Sequence, residues 1–157
     1  MKKFSLVLLL CASSLVFSKN LTIGGKVGVV KVGDKYVPTT SVTADYKLSN
    51  YVSWRTDAGA QFSEGTKLSD ATVQIPTNLL VHPLGKAKFD PYIGPGGNLS
   101  VADGKTTIGY NGVAGFMVGT GKKQGFGLEF RYAVADYRAA SKGNLEGSLL
   151  GKWETKF

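Results

Sequence analysis

One histidine, His82, and one cysteine, Cys11, stand in a chain of 157 residues. Neither a multi-Cys/His zinc site nor an intrachain disulfide can be built from them, and no metal or other cofactor is expected. For His82 to serve as a general base it needs a nucleophile within hydrogen-bond reach. Pro83 and Leu84 follow it, and no serine is placed beside it locally. The expectation is therefore a solvated turn residue and a protein that is not an enzyme. Gly94-Pro95-Gly96-Gly97 lacks the lysine and the following helix of a phosphate-binding loop. What remains is ionic. Asp45, Lys47, Arg55, Asp57, Glu129, Arg131, Lys152 and Glu154 recur as opposite charges two positions apart. That spacing puts each pair on one face of a strand.

The elements that must carry these charges are strands. Beyond residue 20 the apolar pattern has period two, and no stretch reads as a helix. Eight segments are expected: Leu21–Val32, Thr39–Ser49, Tyr51–Ser63, Asp70–Val81, Lys86–Leu99, Thr106–Thr120, Gln124–Asp136 and Leu145–Phe157. Four connections are read as long, at 33–38, 64–69, 100–105 and 137–144. The other three, near 49–50, 82–85 and 121–123, are read as short. Pro76 and Pro95 fall inside segments, where a residue without an N–H is expected to mark a bulge or an early strand end.

Alternation defines two faces. Phe126, Leu128, Phe130, Tyr132 and Val134 oppose Gly127, Glu129, Arg131 and Ala133. Val42, Ala44, Tyr46 and Leu48 oppose Thr43, Asp45 and Lys47. Val52, Trp54, Ala58, Ala60 and Phe62 oppose Ser53, Arg55, Asp57 and Gln61. A soluble barrel would hide the apolar face, and a membrane barrel would turn it to lipid. Mixed charges among glycines and small residues suit a narrow interior where charges must pair. Aromatics also gather at both strand ends. Trp54, Phe89, Phe126, Trp153 and Phe157 form one group, and Tyr36, Phe62, Tyr110 and Tyr132 the other. Such bands match interfacial girdles.

Residues 1–18 read as a cleavable signal peptide, leaving 19–157 as the barrel domain. Lys2 and Lys3 precede an apolar run from Phe4 to Ala12, which is short for a bilayer span. Leu10 before Cys11 argues against a lipoprotein site. Losing Lys2 and Lys3 lowers the formal net charge from +8 to +6. Nucleic acid is not an expected partner, because no helix-turn-helix, zinc or RRM signature accompanies that charge.

The eight alternating segments, the terminal Phe157, and the runs Asp90-Pro91-Tyr92-Ile93-Gly94, Ile108-Gly109-Tyr110 and Leu128-Glu129-Phe130-Arg131-Tyr132 resemble small bacterial outer-membrane β-barrels. The likeness is to outer membrane protein W and to the transmembrane domain of outer membrane protein A, over residues 21–157. It implies an all-β, eight-stranded antiparallel up-and-down transmembrane barrel in the bacterial outer membrane. It also implies that Trp153 and Phe157 are read by the barrel-assembly machinery, and that the neighbours are outer-membrane lipids and lipopolysaccharide around a monomer. Lys35, Lys67, Lys105, Arg138 and Lys142 are the loop cations that would meet lipopolysaccharide phosphates. With the lumen filled by the eight charges, a structural or surface-interaction role is expected. A narrow channel or transporter for a small or hydrophobic solute is the alternative.

Overall fold

A computed structural model describes residues 21–62, 71–85, 88–102, 104–119, 124–134, 136–137 and 143–154, with Trp153 and Glu154 as backbone only. The proposed signal peptide and Phe157 lie outside the described residues. Eight strands follow in order: β1 (Leu21–Val32), β2 (Lys35–Lys47), β3 (Val52–Gln61), β4 (Thr72–Val81), β5 (Phe89–Ala102), β6 (Lys105–Gly119), β7 (Gln124–Val134) and β8 (Asn144–Glu154). Each pairs antiparallel with its neighbour in sequence. β1 pairs with β8, Thr22 opposite Glu154 through Lys31 opposite Leu145, and closes the barrel. Closure leaves no unpaired sheet edge.

The faces are those of a barrel with its polarity turned inward. Val27, Val42, Ile93, Phe130 and Leu149 are exposed on the outer wall, while Asp45, Arg55, Asp57, Glu129 and Arg131 are buried in the lumen. Trp54, Phe89 and Phe126 are exposed toward the end at which β1 begins and β8 ends, and Tyr36, Tyr110 and Tyr132 toward the other. Apolar residues also enter the lumen. Leu80, Tyr92, Val113, Met117 and Leu150 form a small buried cluster.

Two local expectations fail. The connections at 33–38 and 100–105 are not long loops. Val32 pairs with Lys35 and Ala102 with Lys105, so each hairpin turns in two residues. Gly33 and Gly104 adopt φ of 62° and 72° there, the left-handed backbone such turns demand. Only the β3–β4 and β7–β8 connections are long at that end. Pro76 and Pro95 mark neither a bulge nor a strand end. The β3–β4 register is identical on both sides of Pro76 and the β4–β5 register on both sides of Pro95, with two ladder pairs missing at each. The missing N–H is absorbed by local loss of pairing. The fifth strand runs 14 residues through its prolines and glycines.

Candidate functional site

Inward-facing residues of β1, β2, β3, β7 and β8 meet in a chain of ion pairs across the lumen. Lys152 Nζ lies 2.8 Å from Asp45 Oδ2, which also takes Arg55 Nη2 at 3.2 Å. Arg55 Nη1 reaches Glu129 Oε2 at 2.5 Å. Lys26 Nζ bridges Glu129 Oε1 at 2.7 Å and Asp57 Oδ2 at 2.6 Å. Arg131 pairs with Asp57, with Glu129 at 3.2 Å, and with Glu146 at 3.5 Å. Four acids and four bases are joined, so the cluster is formally neutral. From β5, the Tyr92 hydroxyl donates to Glu129 Oε2 at 2.8 Å, and the Arg55 guanidinium stacks 4.5 Å from the Tyr92 ring centre. Gly115 makes room for that phenol, since a Cβ there would come within 2.7 Å of the Tyr92 hydroxyl.

Six of the expected charges, Asp45, Arg55, Asp57, Glu129, Arg131 and Lys152, are brought together. Lys47 is not. It lies on the lumen side of β2 but opposite Ser53, nearer the mouth than the acids, and among the described residues it makes no ion pair with the network. It is half-buried. The side chain of Glu154 lies outside the described residues, as does that of Trp153, whose backbone pairs with Ile23 and Gln124. Lys26, Glu146 and Tyr92 were missed. Lys26 was legible by parity, because Ile23, Val27 and Val29 share one face of β1 and Thr22, Gly24, Lys26 and Gly28 the other.

The network leaves little room. Above it a cavity of about 20 Å³, lined by Thr39, Gln61, Gln74, Asp57, Arg131 and Glu146 among others, has the volume of roughly one water. Asp57 Oδ1 and Arg131 Nε are buried without a hydrogen-bond partner among the described residues, and a water there would satisfy them.

His82 corrects the sequence reading. It is fully buried, not solvated. Its ring joins Ser53 Oγ, 2.8 Å from Nε2, to the Asp90 carboxylate, 2.8 and 3.0 Å from Nδ1. The cause is local. Pro83 holds the residue before it in extended backbone, so the inward parity of Asn78 and Leu80 continues one step past the ladder. His82 N–H donates to the Tyr51 carbonyl at 2.8 Å, and Gly85, at φ 66°, folds the turn back. Ser53 lies 29 residues from His82 in sequence and Asp90 eight, so no local motif announces the cluster.

No family model matches the chain, and no curated protein matches it by sequence. Solved structures do. Neisserial surface protein A is 15% identical, with a TM-score of 0.63 over 87% of this chain and 96% of its own. The N-terminal β-barrel domain of Pseudomonas aeruginosa OprF is 11% identical, with a TM-score of 0.64 over 86% and 97%. The outer membrane enzyme PagL is 12% identical, with a TM-score of 0.60 over 85% and 99%. Enzymes and other barrels thus share this architecture. The chain has the fold of the small eight-stranded outer-membrane β-barrels.

Proposed function

We propose that this protein is a monomeric barrel of the bacterial outer membrane with a structural or surface-interaction role, its lumen plugged by the paired charges. The observation that carries the reading is the neutral network of eight ionic side chains in the lumen. An eight-stranded barrel has an interior that side chains can fill. Here they fill it with charges that compensate one another, and the network itself supplies no nucleophile. The apolar outer wall between two aromatic groups supports a lipid environment. In this reading the terminal strand, with Trp153 and Phe157, addresses the barrel-assembly machinery. Lys35 and Lys105, exposed beside the two tight turns, face lipopolysaccharide phosphates. Lys67, Arg138 and Lys142 lie outside the described residues.

The alternative of a narrow channel or transporter draws on one observation. Asn78, Asn98 and Asn111 line β4 to β6 with buried amide atoms that have no partner among the described residues, which suits a hydrated strip. Planar-bilayer recording of the purified barrel decides between the two. The plugged reading expects no steady conductance, and large, stable, ion-selective currents would replace it with the channel.

A further inference from the structure

We propose that Ser53 is an activated nucleophile at the mouth of the barrel where β1 begins and β8 ends, set up for acyl transfer from small water-borne esters, with His82 as its base. This goes beyond the structural role and does not depend on the plug. The geometry supplies each part such chemistry needs. Ser53 Oγ and His82 Nε2 are 2.8 Å apart, and His82 Nδ1 lies 2.8 Å from Asp90 Oδ1. In the tautomer that donates from Nδ1 to the Asp90 carboxylate, Nε2 is the acceptor facing the Ser53 hydroxyl. Asp90 is the positioning residue. A cation stands beside the nucleophile as well. Lys47 is the direct cross-strand neighbour of Ser53 on β2, where facing Cβ atoms are about 4.5–5.5 Å apart, and it is outside the ion network. The lysine stem is long enough for its ammonium to reach the charge that develops on an ester carbonyl oxygen. On the other side of Ser53 stands Leu80, and the Tyr92 ring centre lies 5.9 Å from that of His82.

In the reaction, Ser53 Oγ bonds to the carbonyl carbon and its proton passes to His82 Nε2. The bond to the alkoxy group breaks, and that group leaves with the proton from His82. Water then attacks the acyl-serine, giving a proton to His82 and releasing the carboxylic acid as Ser53 recovers its hydrogen. Ser53 and His82 are both fully covered. The turns at 48–51 and 82–85 adjoin them in the chain and are tied to each other by the His82 to Tyr51 backbone bond and by the Tyr51 ring against Gly85. Substrate enters when these two turns part, through the mouth at which the Asp90 side chain is already 11% exposed.

The test is covalent labelling of the folded full-length barrel with diisopropyl fluorophosphate, followed by peptide mass mapping, alongside p-nitrophenyl acetate turnover. Folding of every variant is checked by heat-modifiable gel mobility. The expected result is a single adduct on Ser53, absent in Ser53→Ala. The labelling rate should fall on the order of 100-fold in His82→Gln, with a large loss in Asp90→Asn. Lys47→Met should slow acetate turnover, and Lys47→Arg should restore most of it. Asp90→Asn is nearly isosteric and keeps the comparison available if His82→Gln does not fold. No adduct on Ser53 in the folded wild type, or an adduct that forms equally fast without His82 or Asp90, would overturn the proposal and leave the cluster a structural pin.

Discussion

Glu129 is the residue on which the lumen turns. Its two oxygens take Lys26, Arg55, Arg131 and the Tyr92 hydroxyl, and it is 1% exposed. Removing one member of a buried charge set leaves its partners uncompensated, at a cost of about 3–5 kcal/mol. Glu129→Gln keeps the shape and deletes the charge, so three cations would then face one another. We expect it to lower unfolding stability in lipid vesicles by that amount. Lys31→Gln, on the exposed outer side of β1, should stay within about 0.5 kcal/mol. Urea titration followed by tryptophan fluorescence measures both. An equal, small effect of the two changes would show that the network contributes nothing beyond filling space.

At the scale of the strand, the decisive feature is which face meets lipid. On β7, Phe130 is exposed on the outer wall while Glu129 and Arg131 point inward and Ala133 lies on the inner side. Arginine on a lipid-facing position near the bilayer midplane costs about 2–4 kcal/mol. Phe130→Arg should therefore reduce folding yield in bilayers strongly, and Ala133→Ser barely, as read from the folded fraction on unheated gels. Equal tolerance would mean that the outer wall is not in lipid. This two-faced pattern was legible in the sequence, because apolar and polar residues alternate in β2, β3, β7 and β8 with few exceptions. Leu150 is one exception, and it joins the buried apolar cluster. The turns were less legible. Gly33-Asp34 and Asp103-Gly104 are two-residue hairpin signals, but flanking polar residues made longer loops look plausible. The His82 cluster was not legible at all, since β3, β5 and the turn after β4 bring its members together and only the register shows that they share a mouth.

For the whole molecule, closure and charge balance act together. The barrel closes through β1 and β8, and the ion network in its lumen joins four acids to four bases. Neutrality lets the network fill the lumen without a counter-ion, because no charge is left over. Arg131 is the cation best placed to break this, since Asp57, Glu129 and Glu146 all lean on it beside the small cavity. Arg131→Ala removes the largest basic side chain at that level and leaves the network one positive charge short. Water and a counter-ion must enter to compensate the freed carboxylates. We expect small leak currents in planar bilayers where the unmodified barrel is silent. In a salt gradient the reversal potential should shift toward the value for cations, because the widened lumen is lined by three acids, of which Lys26 bridges only Asp57 and Glu129. Arg131→Lys should restore silence. An anion-selective leak, or a variant that folds normally and stays silent, would show that the seal lies elsewhere, with the apolar cluster of Leu80, Val113, Met117 and Leu150 next in line.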